Sequence, residues 1–186
     1  MALILASQSP RRKMLLELLR VPFTVQVADI DETLDATLPI PEAVAQLSLR
    51  KAQAVSRSTQ DTVIAADTIV VCDGYVLGKP EDKEAAFKML AMLSGKSHHV
   101  MTGVTVLRGD RRESFTEITQ VDFRALTAKE IREYIATGEP MDKAGAYAIQ
   151  GGAALFVQSI SGDYSNVVGL PICRLSQVLK QMEDTQ

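Results

Sequence analysis

Apolar and polar positions change their period several times along the chain, and each change marks a predicted element. A short apolar run over 3–6 ends in the polar turn Ser7-Gln8-Ser9, where Ser9 can cap a helix whose first position is Pro10. Met14, Leu15, Leu18 and Leu19 then recur at helical spacing to about Arg20, and Phe23 to Val27 alternates as a strand. Pro41 to Ser56 reads as a second helix, with Val44, Leu47, Ala54 and Val55 apolar and Lys51 near its middle. Thr62 to Val71 is rich in β-branched residues, Asp73-Gly74 fits a hairpin turn, and Tyr75 to Leu77 returns as a short strand. A third helix follows Pro80 to about Leu93. His99 to Arg108 and Glu113 to Arg124, joined by Gly109-Asp110, have the pattern of a long antiparallel hairpin. Thr127 and Glu130 form a capping box that opens a helix to Thr137, closed by Gly138. A glycine-rich polar stretch over 139–152 precedes a strand over 154–160 and a helix from about Leu170 to Met182. The expected fold class is mixed α/β with an antiparallel component.

Composition narrows the class. The chain has 186 residues, of which 46% are hydrophobic and 23% charged, enough to close a core without disulfides or a structural metal. No repeat, low-complexity tract or Pro/Gly-rich linker interrupts it, so a single domain over 1–186 is expected. Cys72 and Cys173 are far apart and lack a CxxC spacing, which shows neither a disulfide framework nor a zinc cluster and permits a reducing, cytoplasmic setting. Arg11 and Arg12 follow too soon after the first apolar residues for a signal peptide or a membrane span. The formal charge is −3, and no run of five like charges occurs. A general electrostatic grip on nucleic acid is therefore disfavoured, and binding must come from a local site.

Several familiar sites are excluded by their spacing. Gly95-Lys96-Ser97 resembles the end of a phosphate-binding P-loop, but position 90, where that motif needs glycine, is Leu. GxGxxG, HExxH and GxSxG are absent. His98 and His99 are adjacent on a predicted strand, so their side chains point to opposite faces and do not readily share a metal.

What remains is a set of cations and carboxylates where the chain turns. Arg11 and Arg12 lie in the first turn of a predicted helix, whose free N–H groups favour an anion, and guanidinium forks bind phosphate oxygens in pairs. Two solvated surface arginines are the competing reading. Asp67 interrupts an apolar strand, so it needs a cation, a proton role or backbone partners at a bulge. Lys79, between Gly78 and Pro80, is either a second phosphate contact or a solvated turn lysine. Asp29, Asp31 and Glu32 form an acidic trio that suits Mg²⁺, which takes one or two carboxylates besides phosphate and water, or else a plain acidic loop. The stretch Asp142 to Gly152 mixes small and isolated polar residues, a composition that lets backbone approach a flat ligand or simply forms a surface loop. Within it, the amide of Gln150 can match the imide edge of a pyrimidine.

Taken in order, Ser7-Gln8-Ser9-Pro10-Arg11-Arg12, Ala66-Asp67-Thr68, Gly78-Lys79-Pro80, Ser94-Gly95 with Thr102-Gly103, the run Glu139 to Tyr147, Ile149-Gln150-Gly151 and Val168-Gly169-Leu170-Pro171 resemble the Maf (septum-formation-inhibitor) nucleoside triphosphate pyrophosphatases over nearly the whole chain. The resemblance implies a Maf/ITPase-like fold, a long mixed sheet flanked by helices around a central cleft. It also implies hydrolysis of a nucleoside triphosphate between its α- and β-phosphates with a divalent metal, Mg²⁺ or Mn²⁺ and with Co²⁺ as a further candidate. Arg11, Thr68 and Gln150 match the specificity positions of the branch acting on dTTP and UTP, with modified pyrimidine nucleotides as further substrates. The sister branch acting on 7-methyl-GTP typically has Trp, Gln and Glu there. By the same resemblance Asp67 is the proton acceptor, Arg12 and Lys79 are catalytic, and Ser7, Arg11, Arg12, Lys51, Thr68, Lys79 and Gln150 bind substrate. Asp67 acts on the water directly or through the metal, and Glu32 is the candidate metal ligand or second carboxylate beside it. Ala148 and Ala65 depart from the glycine that many relatives carry. The alternative from another class is a nucleotide-binding regulator of cell division that turns nothing over. Partners are a small-molecule nucleotide, with no nucleic acid and no membrane, and a homodimer is left open.

Overall fold

In the computed structural model, which describes residues 2–27, 29–56 and 60–184, strand alternation determines which helix covers which face of the sheet. Strand β1 (Leu3–Leu5) pairs in parallel with β2 (Phe23–Val25) and with β3 (Thr62–Cys72). A parallel pair needs a crossover, and α1 (Pro10–Glu17) supplies the one between β1 and β2. Ser9 caps α1 by accepting from the Arg12 N–H, and Pro10 takes the first helical position as predicted.

The chain groups into two compact units. The first contains residues 1–67, 102–117 and 169–186, and its strands are covered on both faces, as parallel strands require. Leu5, Ile64 and Ala66 pack with Leu16 of α1 and with Leu175 and Met182 of the helix Ile172–Asp184. The alternate residues Ile4, Ala6, Val63 and Ala65 pack with Ala52 and Val55 of α2 (Ile40–Val55). Gly103 lies where the α2 backbone passes closest, since a Cβ there would stand 2.3 Å from the Val44 carbonyl oxygen.

The second unit contains residues 68–101 and 118–168. The distal half of β3 pairs with β4 (Tyr75–Leu77) in an antiparallel hairpin, and Asp73 and Gly74 both have positive φ (50° and 81°), the geometry of a tight primed turn. Helix α3 (Lys83–Leu93) is capped by Asp82, which accepts from the Ala85 N–H at 2.7 Å. Helix α4 (Ala128–Ala136) begins with the predicted Thr127/Glu130 capping box, and Gly138 beyond it has φ 78°. Strands β5 (Ser97–Arg108) and β6 (Arg111–Phe123) each contribute residues to both units, as β3 does. They are neighbours in the seven-stranded sheet, ordered β2-β1-β3-β5-β6-β7 with β4 on β3, and the two-residue connection between β5 and β6 makes them antiparallel. The sheet is therefore mixed, as expected.

Two expectations are corrected. Residues 152–155 form a 3-10 turn, and β7 is confined to Val157–Ser161, where it pairs antiparallel with β6. The C-terminal helix was expected from Leu170, but a separate short helix α5 (Tyr164–Val168) comes first, and α6 (Ile172–Asp184) starts only after Gly169, Leu170 and Pro171. Gly169 has φ 125°, outside the helical range, and Pro171 limits the residue before it to extended backbone. Among the described residues no helix is long and apolar enough to cross a membrane.

The core of the second unit contains a cluster of aromatic rings. Phe123 meets His98 and Tyr147 edge-on, both with centroids 4.9 Å away, and Phe156 at 6.1 Å. His98 is 1% exposed and its Nε2 lies 2.8 Å from the Tyr147 hydroxyl, while His99 is exposed on the opposite face, as adjacent strand residues should be. Burial pushes the His98 imidazole down to about 4 from its ordinary 6.5, against a smaller opposing pull from Asp122. Between those values the unfolded chain binds a proton at this residue and the folded chain does not. Stability is thus expected to be full above about pH 6.5 and to decline as pH falls from there towards 4, by at most about 1.4 kcal/mol per pH unit. Urea unfolding at pH 7.5, 5.5 and 4.5 checks this, and His98→Phe should flatten that slope.

Candidate functional site

The alternation that places Val63 and Ala65 against α2 sends Asp67 in the same direction, at the end of the first unit's part of β3. On α2 the buried positions Val44, Leu47, Ser48, Lys51, Ala52 and Val55 recur at helical spacing, and Lys51, 7% exposed, is the charged member of that stripe. The two out-of-character charges meet, with Lys51 Nζ 2.6 Å from Asp67 Oδ1. A second carboxylate reaches the same ammonium, since Glu32 Oε1 lies 2.8 Å from Nζ. Glu32 is exposed, while Asp67 is half-buried.

Arg12 joins this group from the first turn of α1. Its Nη1 donates to Ser7 Oγ at 3.2 Å, its Nε donates to the Gly169 carbonyl at 2.8 Å, and Ser7 Oγ also accepts the Ser9 N–H at 3.2 Å. The guanidinium is therefore held in a fixed orientation by a side chain on one side and backbone on the other. Burial pulls its pKa down, opposed first by the charge of Asp67 and to a lesser degree by that of Glu32, and neighbouring Arg11 adds to the pull. Within one unit, then, the structure brings together Ser7, Arg12, Glu32, Lys51 and Asp67, with Arg11 adjacent and half-buried. Gly169 was quoted in the sequence motif without a role, and its carbonyl contact with Arg12 became visible only in the fold. Its one sequence signal was a glycine just ahead of Leu170-Pro171.

The remaining predicted residues belong to the second unit. Thr68 follows Asp67 on β3 and is half-buried. Lys79 is exposed between Gly78 and Pro80, and Gln150 is exposed in the turn after Tyr147. The glycine-rich stretch is used differently from the flat-ligand expectation. Gly145, with φ 68°, packs so tightly that a Cβ would stand 2.8 Å from Val70, and at Gly151 a Cβ would stand 2.0 Å from the Glu139 carboxylate. These glycines serve close packing inside the unit.

The acidic trio divides. Glu32 reaches Lys51, whereas Asp31 turns onto Thr33, accepting its N–H at 2.9 Å and its hydroxyl at 2.6 Å, contacts that hold the Asp31 carboxyl below its ordinary range. Asp29 is exposed. Lys96, in the P-loop-like segment, pairs with Asp73 at 2.7 Å, and this ordinary ion pair leaves the phosphate resemblance without support. Among the described residues no group of three His, Cys, Asp or Glu is assembled as a dedicated metal cage. Asp67 and Glu32 nevertheless converge on one ammonium, so their oxygens lie within reach of a single cation, and two hard carboxylates suit a divalent ion completed by phosphate and water.

Comparison with known proteins identifies what the whole chain is similar to. Residues 2–182 match the family model described as Maf-like protein. A relative from Geobacillus sp., named dTTP/UTP pyrophosphatase, is 53% identical over 181 residues, covering 97% of both chains. One from Halalkalibacterium halodurans with the same name is 54% identical over 179 residues, covering 96% of this chain and 94% of the relative. The solved structure of a HAM1 protein from Coxiella burnetii covers 97% of this chain and 100% of its own with a TM-score of 0.53 at 16% identity, which is a likeness of fold.

Removing one partner of a buried ion pair costs far more than removing an exposed one. Lys51→Met is expected to destabilise the protein by about 3 kcal/mol, because Asp67 loses the cation that compensates its desolvation. Glu32→Gln should cost under about 1 kcal/mol. Equilibrium urea denaturation of both variants measures the difference.

Proposed function

The chain belongs to the Maf family, and on that premise we propose that it hydrolyses dTTP and UTP between the α- and β-phosphates, giving the nucleoside monophosphate and pyrophosphate. The observation that carries this reading is the convergence of Arg12, Lys51, Asp67 and Glu32 around one point of the first unit, two fixed cations beside two carboxylates. A triphosphate needs cations to bind and a carboxylate to take the proton of an attacking water. The substrate itself is inferred from the relatives, which are more than half identical and carry the name dTTP/UTP pyrophosphatase.

In this mechanism Arg12 grips the polyphosphate through the guanidinium edge not directed at Gly169, and Lys51 adds a point charge from the floor of the site. Phosphoryl transfer is governed mainly by positioning and electrostatics, so these cations stabilise negative charge as it builds on departing pyrophosphate. Water adds to the α-phosphorus, its proton passes to Asp67, and the bond to the bridging oxygen breaks with its electron pair on pyrophosphate. Asp67 and Glu32 would hold a divalent cation, which when bound supplies Lewis-acid stabilisation of the phosphate oxygens. Ser7 orients Arg12. On sequence grounds Lys79 is assigned to phosphate binding, and Arg11, Thr68 and Gln150 to the choice of base.

Uracil and thymine differ by one methyl, worth only about 1 to 3 kcal/mol in an apolar pocket, so both are accepted. Cytosine exchanges the acceptor and donor of the imide edge, and a fixed glutamine amide rejects that exchange more strongly.

Two outcomes are expected. A nucleotide panel with phosphate and pyrophosphate detected separately should show pyrophosphate released from dTTP and UTP, and Asp67→Asn should retain the fold by circular dichroism while losing roughly a hundredfold or more in kcat. Binding of dTTP without pyrophosphate release would favour the non-catalytic regulator instead. In the same panel, kcat/KM for CTP and dCTP should fall well below that for UTP and dTTP, and Gln150→Glu should narrow the gap. Equal rates on CTP and UTP would refute imide reading.

A further inference from the structure

Gln150 has little packing of its own, yet the chain on both sides of it is pinned. The Gly151 N–H donates to the Ala148 carbonyl at 3.0 Å, closing a four-residue turn with Ile149 and Gln150 at its centre. Ile149 is buried and Gln150 exposed. On the near side the Ala148 N–H donates to the Tyr134 hydroxyl at 3.1 Å. On the far side the Gly152 N–H donates to Glu139 Oε2 at 3.1 Å. The Tyr134 hydroxyl in turn donates to Glu139 Oε1 at 2.8 Å, which joins the two supports into one.

Each support is itself anchored. Tyr134 is 5% exposed at the end of α4 and meets Phe156 edge-on with centroids 5.2 Å apart. Burial, followed by the hydrogen bond to Glu139, raises its hydroxyl pKa and keeps it a donor at neutral pH. The backbone N–H of Glu139 donates to Thr137 Oγ1 at 3.2 Å, and buried Pro140 follows it. Gly151 completes the arrangement, because any side chain there would occupy the space of the Glu139 carboxylate. At Gly152 a Cβ would stand 3.3 Å from the Tyr134 ring.

From this geometry we infer that Tyr134 and Glu139 form a two-residue clamp that positions the Gln150 turn and thereby sets the protein's selectivity among pyrimidine bases. Both are positioning residues acting through Gln150. The inference rests on the reading of Gln150 as the residue that recognises the base. Hydrogen-bond discrimination depends on the donor and acceptor being held in place before the ligand arrives. A glutamine on an unsupported turn could shift to suit either pyrimidine edge. With Ala148 and Gly152 tied to a buried tyrosine and its carboxylate partner, the backbone beneath Gln150 cannot shift without breaking these hydrogen bonds.

The test is calorimetric binding of the α,β-methylene analogues of UTP and CTP to the full chain with Mg²⁺, which reads base preference without turnover. Tyr134→Phe removes both hydrogen bonds of the hydroxyl, to Ala148 and to Glu139, and is expected to reduce the UTP-over-CTP affinity ratio by roughly fivefold to tenfold. Glu139→Gln keeps the side-chain volume, accepts from only one of its two present donors, and should reduce the ratio by less. In a Gln150→Ala background, where the ratio has already collapsed, Tyr134→Phe should produce no further change, since residues that act through one another are not additive. If Gln150→Ala abolishes the preference while Tyr134→Phe and Glu139→Gln leave it intact, the clamp is wrong and base reading by Gln150 stands. An equal loss from Tyr134→Phe with and without Gln150 also overturns it, by indicating general disruption. An unchanged ratio in Gln150→Ala removes base reading and the clamp's role together.

Discussion

A lysine buried in the apolar stripe of a helix has to find an anion, and Lys51 finds Asp67 at 2.6 Å. Withdrawing an ammonium from water costs several kcal/mol unless it is paired and hydrogen-bonded. The pair therefore constrains both elements: β3 must deliver Asp67 to the face that α2 covers, and α2 must turn Lys51 inwards. The alternating packing of Val63 and Ala65 against Ala52 and Val55 meets both conditions with ordinary hydrophobic contacts. A core built for stability alone would place apolar residues at 51 and 67, since a hydrophobic replacement of a buried ion pair is often neutral or stabilising. Packing alone therefore does not account for charge at these two positions.

Much of this was legible in the sequence, for local reasons. Asp67 stood out because it broke an apolar strand, whereas Lys51 was placed only near the middle of its helix, and its place in the buried stripe emerged in the fold. Asp73-Gly74 specified its turn because two consecutive positive φ values suit few other residue pairs. Thr127 and Glu130 specified the start of a helix because their reciprocal bonds span only four residues. Where structure depended on distant parts of the chain, the sequence pattern gave less. The strand expected from Ala154 begins only at Val157, because residues 152–155 are bound up with the turn before them. The five residues of α5 are too few to show a helical period. Asn166 within it is tied to the Val100 carbonyl at 3.0 Å and to Thr119 Oγ1 at 2.9 Å, partners no local pattern reveals.

The small residues between Asp142 and Gly152 show how composition alone misleads. A glycine-rich segment suggests a surface opened for a ligand, but here the missing side chains admit Val70 at Gly145 and the Glu139 carboxylate at Gly151. What stays exposed at the centre of the turn is the Gln150 side chain. Small residues and a long polar one thus differ in use, the former allowing close packing and the latter remaining exposed on the turn.

The two units are interleaved in the polypeptide: the first draws on residues 1–67, 102–117 and 169–186, and the second on the lengths between. Leu170, Leu175 and Met182 belong to the same core as Leu5 and Leu16. During translation, the earliest-made part of that core must wait, partly uncovered, until these late residues have left the ribosome. Neither unit can be exchanged between genes as a contiguous cassette, so the pair is inherited as a whole.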